Sequence, residues 1–72
     1  MTSYTPEHLQ ADLVTIGLTQ AQLARLLAVH ASTVWRWQQG HKPVPEAVAL
    51  LLETMCEQPS TAARILKRTG IR

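Results

Sequence analysis

The sequence predicts an all-α fold, a compact bundle of about five short helices with a helix-turn-helix at its centre. The composition supports this prediction: apolar residues make up 46% of the 72 residues and include no Phe, whereas a sheet would need more β-branched and aromatic side chains. Apolar side chains recur every three or four residues. Residues that cap, start or stop helices separate these apolar stretches. We expect a single domain over residues 1–72.

The first helix is expected to begin at Pro6 and to end before Gly17. Thr5 can cap it, Pro6 loses no hydrogen bond at the first helical position, and Gly17 favours the left-handed conformation of a helix end. One apolar stripe contains Leu9, Leu13 and Ile16. This stripe predicts a single face packed on the core.

The second helix is expected directly after the first. Thr19 and Gln22 match the capping-box pattern, and Leu18 stands where a hydrophobic staple lies. The inward face is formed by Leu23, Leu26 and Leu27. Ala28 and Val29 form the following turn, where alanine would cost about 1 kcal/mol or more if the backbone needed a positive φ.

The third helix is expected over about residues 31–38, and Gly40 stops it. No Ser or Thr caps its start. Val34 and Trp37, three residues apart, form its core pair. The prolines in residues 41–45 then predict a rigid connector, because each fixes its own φ and disfavours helix at the residue before it.

The fourth helix is expected to begin near Pro45, with Glu46 at its positive end, and to continue to about residue 56. Its core stripe contains Val48, Leu51, Leu52 and Met55. Ser60 is expected to cap a fifth helix over about residues 61–69. Ile65 and Leu66 give this helix an apolar side, and its basic side, expected to be a solvated face, contains Arg64, Lys67, Arg68 and Arg72.

Net charge, cysteine content and the length of apolar runs exclude few functions but indicate where the protein is located. The net charge of +2 is weak evidence for a polyanionic partner. Cys56 is the single cysteine, so no internal disulfide is expected, which suits a reducing cytoplasm. No apolar run approaches the roughly 20 residues that span a bilayer. We therefore expect a cytoplasmic protein with no membrane partner.

Chemistry-bearing residues do not form a recognisable catalytic or metal pattern. The histidines and the cysteine do not have the spacing of a zinc site; these residues are His8, His30, His41 and Cys56. No Ser-His-Asp or Cys-His set is supported, and no glycine-rich phosphate loop occurs. We expect neither an enzyme nor a metal or other cofactor.

Residues 18–40 resemble the helix-turn-helix of the phage-repressor/Cro, or XRE-like, family. The resemblance rests on Leu18-Thr19-Gln20, Leu23-Ala24, Leu27-Ala28-Val29, Thr33-Val34 and Trp37 with Gly40. With the flanking helices it extends over roughly residues 6–56. It implies a lambda-repressor-like fold and a homodimer that binds double-stranded DNA with the third helix in the major groove.

The resemblance also implies roles for single residues. Base-reading positions are Ala31, Ser32 and Arg36, while DNA-backbone contacts are Gln20, His30, Thr33, Gln39 and Lys42, of which His30 can join either group. Ala31 can at most touch a thymine methyl, so Arg36 is the main reader, with guanine O6 and N7 as its best partner. Ala28 departs from the family, which has a glycine at this turn.

Trp35 lies off the stripe of core residues in the third helix. It either packs against the first helix or is partly exposed at the edge that faces DNA. We expect packing, in which case the indole nitrogen needs a hydrogen-bond partner.

The function implied is a small DNA-binding transcription regulator of a phage or mobile element. It would be a homodimeric repressor that occupies palindromic half-sites, blocks a promoter and regulates its own gene. The alternative is an antitoxin-type interaction module, in which the fifth helix binds a toxin and DNA binding is secondary. RNA binding lacks support, because no stacking platform or RNA motif is present.

Overall fold

The computed structural model describes residues 4–71, which form five α-helices. They are α1 (Pro6–Ile16), α2 (Gln20–Leu27), α3 (Ala31–Gln38), α4 (Glu46–Glu57) and α5 (Pro59–Arg68). The predicted all-α class with five helices is confirmed, and no strand occurs within residues 4–71. Arg72, counted above in the basic side of the fifth helix, lies outside the described residues.

The first two helices begin with the caps that the sequence predicts. The amide of His8 donates a 3.1 Å hydrogen bond to Thr5 Oγ1 at the start of α1. At the start of α2 the capping box is complete: the amide of Gln22 donates to Thr19 Oγ1 at 3.1 Å, and the amide of Thr19 donates to Gln22 Oε1 at 3.0 Å. These bonds satisfy amides that a helix start leaves unpaired.

The turn between α2 and α3 closes through a left-handed alanine. Ala28 has φ +56° and ψ +43°, the one positive φ outside glycine in the described chain. The amide of Val29 donates to the Ala24 carbonyl at 3.0 Å, and the amide of Ala28 donates to the Arg25 carbonyl at 3.2 Å. This is a Schellman motif, which favours glycine at the position of Ala28. The turn therefore has the positive φ for which a cost is expected from the sequence, because alanine is unfavourable in this conformation.

The end of α3 uses the same motif with a glycine. Gly40 has φ +76°, and its amide donates to the Trp37 carbonyl at 3.2 Å. The amide of His41 donates to the Arg36 carbonyl at 2.9 Å. The chain therefore turns back over the last turn of α3, and the side chain of His41 lies beside that helix.

The last two helices begin one or more residues away from their predicted starts. Pro45 precedes α4 instead of forming its first turn. The prediction that Ser60 caps the fifth helix is wrong: Gln58 occupies the cap position and Pro59 is the first helical residue. Proline has a fixed φ that suits this position, so the helix begins there. Thr61 Oγ1 donates to Gln58 Oε1 at 3.1 Å across this start.

The core lies where α1 packs against α3 and α4, α2 against α3, and α4 against α5. Within residues 4–71 no polar or charged side chain is buried. The buried residues are Leu9, Leu13, Ile16, Leu18, Leu23, Ala24, Val34, Trp37, Ala49, Leu52, Met55, Ala62 and Leu66. None of the helices in this part of the chain has the length and apolar character needed to cross a membrane.

Candidate nucleic-acid interface

The rotation of α3 about its own axis is set by two buried side chains. Val34 is fully buried and Trp37 is 5% exposed. Successive residues of a helix are about 100° apart, so the positions opposite this pair must point away from the core. The exposed residues there define the outward face of α3: Ala31, Ser32, Trp35, Arg36 and Gln39.

The three predicted base-reading residues are together on the outward face. Ala31, Ser32 and Arg36 are all exposed. Ser32 and Arg36 are four residues apart, which places them one above the other at about 6 Å along the helix axis. A hydroxyl and a guanidinium at that separation can address neighbouring base pairs in a major groove.

The predicted backbone-contacting residues are more dispersed. Gln39 lies on the outward face, and Lys42 is exposed just beyond the end of α3. His30 is exposed at the cap position of α3, where its side chain makes no capping hydrogen bond. Thr33 is half-buried on the side of the helix nearer to the core. Thr33 and Gln20 are the two members of this group that are half-buried, whereas His30, Gln39 and Lys42 are exposed.

Two glutamines lie in the first turn of α2, and one of them takes part in the capping box. Gln22 is committed to the capping box, where its side chain accepts a hydrogen bond from Thr19. Gln20, the first residue of the helix, is half-buried. A helix start carries exposed amides and a partial positive charge that favour anions. Gln20 has no part in the capping box, so both its amide oxygen and its amide nitrogen are left for contacts at this helix start.

The prediction that Trp35 packs against the first helix is wrong. Its side chain is 48% exposed, and its ring meets that of His41 edge to face, with centroids 5.4 Å apart. Trp35 is adjacent to the core residue Val34, but the 100° step between neighbours carries it to the outward face. The helical periodicity and the glycine at position 40 were the signals that could have indicated this placement.

Gln38 is a supporting residue that the sequence did not single out. Its Nε2 donates a 3.1 Å hydrogen bond to Gln10 Oε1 on α1. The bond links the last residue of α3 to the exposed side of α1. It adds a polar contact to the packing of α1 against α3. The signal was its position four residues after Val34, which places it on the same side of α3.

Fixed charges are divided unevenly between the helices. Residues 18–45 contain Arg25, Arg36 and Lys42 and no Asp or Glu, whereas all five acidic residues lie in α1 and α4. The three cationic side chains are exposed. The segment that contains α2 and α3 therefore has a net positive charge from its Arg and Lys side chains, and the acids lie in the helices before and after it.

A second group of titratable residues lies away from the outward face. Tyr4 donates a hydrogen bond to the Asp12 carboxylate, and the Cys56 thiol lies 3.8 Å from the Asp12 carbonyl oxygen. Burial, followed by the influence of Asp12, raises the pKa of Tyr4 above its ordinary value and that of Cys56 to about 11. The contacts of Tyr4 and Cys56 with Asp12 tie the N-terminal segment and α4 to α1.

No group of three or more His, Cys, Asp or Glu side chains that could hold a metal ion occurs among residues 4–71. Cys56 is half-buried and reduced, and its Sγ contacts backbone. The side chains of the outward face themselves offer hydrogen bonding, apolar contact and positive charge.

The sequence matches no protein-family model, no curated protein and no solved structure.

Proposed function

We propose that this protein is a sequence-specific regulator of transcription that binds double-stranded DNA through α3. The observation that carries the proposal is the outward face of α3. It presents a guanidinium, a hydroxyl, an amide and an indole to solvent while Val34 and Trp37 hold the opposite side in the core. A short helix with this polarity, preceded by a second helix and a tight turn, has the form used to enter a major groove.

Arg36 is the principal reader in this proposal. A guanidinium can donate two hydrogen bonds to O6 and N7 of guanine, which distinguishes that base from the other three. Ser32, one turn earlier, reads a neighbouring base or its phosphate. Gln20, Gln39 and Lys42 contact the DNA backbone on either side, and these contacts set the position of α3 without carrying sequence information.

We infer a homodimer because one short helix contacts too few base pairs to be selective. Two copies on palindromic half-sites about 34 Å apart would place both α3 helices on one side of the duplex. A dimer of this kind bound across a promoter represses by excluding polymerase. Autoregulation follows naturally if its own promoter contains the site, and the protein then acts in the cytoplasm, with the DNA.

The proposal is tested by selection from a library of random duplexes with the purified full chain. We expect enrichment of an inverted repeat whose half-site centres are about one helical turn apart, with a guanine in each half-site. Affinity should fall steeply as salt increases, because phosphate contacts release counterions. Failure to enrich any duplex would contradict the proposal, and co-purification with a second polypeptide would then favour the antitoxin-type alternative.

A further inference from the structure

We propose that Trp35 is a specificity-determining residue, whose indole contacts the 5-methyl group of a thymine beside the base read by Arg36. This inference rests on the proposed function and deepens it. The sequence favoured packing of Trp35 against the first helix over partial exposure at the edge that faces DNA, and Trp35 is not among the predicted base-contacting residues. Its position on the outward face requires a different role.

Trp35 is exposed on the outward face, in contrast to the other tryptophan of α3. Its side chain is 48% exposed, whereas Trp37, two residues later, is 5% exposed. Only one of the two indoles therefore fills the core. A half-exposed indole leaves a large apolar surface in water, which is unfavourable in the free protein. The other exposed side chains of this face are polar or small, so the indole supplies its one large apolar surface.

The indole ring of Trp35 is in contact with the His41 ring. The Schellman motif at Gly40 turns the chain back, and the first residue beyond it, His41, meets Trp35 from the side. Their ring planes are 87° apart and the centroids are 5.4 Å apart, an edge-to-face arrangement. The contact favours this orientation of the indole in the free protein. A side chain that is already ordered loses less conformational entropy on binding.

The groups that bases present in the major groove indicate what the indole would contact. In the major groove thymine alone presents a methyl group, so an apolar side chain there selects thymine. Trp35 and Arg36 are adjacent and flank the centre of the outward face at about 100° from each other. When Arg36 is over a guanine, the indole lies over an adjacent base pair. The site is therefore expected to contain a thymine next to the guanine.

The test uses the duplex selected above and replaces its thymines, one at a time, by deoxyuridine, which lacks only the methyl group. We expect one position per half-site where this change weakens binding of the wild-type chain about fourfold, the value of one buried methyl group. In Trp35→Ala the thymine and uracil duplexes should bind equally. Val14→Ala, which removes another exposed apolar side chain on α1, should retain the wild-type difference.

Two outcomes overturn the inference. The wild-type chain can be insensitive to every replacement, or the difference can persist in Trp35→Ala. If binding of the selected duplex still depends on Arg36, either outcome contradicts this inference alone and leaves the proposed function supported. If the protein enriches no duplex from the library, both the proposed function and this inference are contradicted. Because Trp35 is exposed, helical circular dichroism is expected to be unchanged in Trp35→Ala, which confirms that the variant is folded.

Discussion

Leu50 and Leu52 are two residues apart on α4 and lie on opposite sides of it: Leu52 is fully buried and Leu50 is 54% exposed. This pair offers a matched test of the core. Leu52→Ala should lower the free energy of unfolding by about 2–5 kcal/mol, because it removes buried methyl groups and leaves a cavity. Leu50→Ala should change it by less than about 0.5 kcal/mol. Urea unfolding followed by circular dichroism measures both free energies. Equal losses would contradict the orientation of α4 about its axis, in which Leu52 faces the core and Leu50 faces solvent.

Ala28 is expected to be a site where glycine stabilises the protein. Its left-handed backbone is strained for a side chain that has a Cβ atom. Ala28→Gly should therefore raise the free energy of unfolding by about 1 kcal/mol, even though glycine is entropically costly elsewhere. In a domain of this size the melting temperature should rise by about 4–8 °C.

Ala63 provides the control for that substitution, because it is exposed within the regular helix α5. Ala63→Gly should lower the free energy of unfolding by up to about 1 kcal/mol. If both glycine variants were destabilised equally, the turn before α3 would not have the left-handed geometry described here.

Cys56 should react slowly with alkylating reagents while the protein is folded. The thiolate is the reactive species, and the thiol has a pKa of about 11. The reaction rate should increase with pH until about pH 11 in the folded protein, whereas in urea its midpoint should lie near pH 8.5. At pH 8 the folded chain should react at least about tenfold more slowly than the unfolded chain.

The same shift has a consequence for stability. The unfolded chain loses the thiol proton first, so the contribution of Cys56 is fully present below about pH 8.5 and is lost as the pH rises toward 11. The pKa of Tyr4 is raised too, and its contribution is lost in the same direction. Stability that rose over this range would contradict the raised pKa values of these two half-buried groups.

The sequence predicted the helices well because their signals are local. Thr5 and the pair Thr19 and Gln22 form caps from neighbouring residues, and apolar spacing indicates the inward faces directly. The start of α5 was predicted wrongly because two local signals competed there. Ser60 is a good cap, but the fixed φ of Pro59 began the helix earlier.

The outward face was only partly predictable. Ser32 and Arg36 follow from the position of Val34 and Trp37, since helical spacing places them opposite the core pair. Packing of Trp35 is the wrong expectation because its large apolar surface favours burial, whereas its angle about the helix axis carries it to the outward face. The contact with His41 depends on a turn that reverses the chain, and the hydrogen bond between Gln38 and Gln10 joins two separate helices. Neither can be read from local spacing.

The central claim is that the outward face of α3 reads bases, and the most direct measurement compares Arg36→Ala on two duplexes. One is the duplex selected from the random library, and the other is a scrambled duplex of the same length and composition. Arg64→Ala, an exposed arginine on α5, is the control. We predict that Arg36→Ala loses about 1–3 kcal/mol of binding free energy on the selected duplex and far less on the scrambled one. Equal losses on the two duplexes would contradict the account.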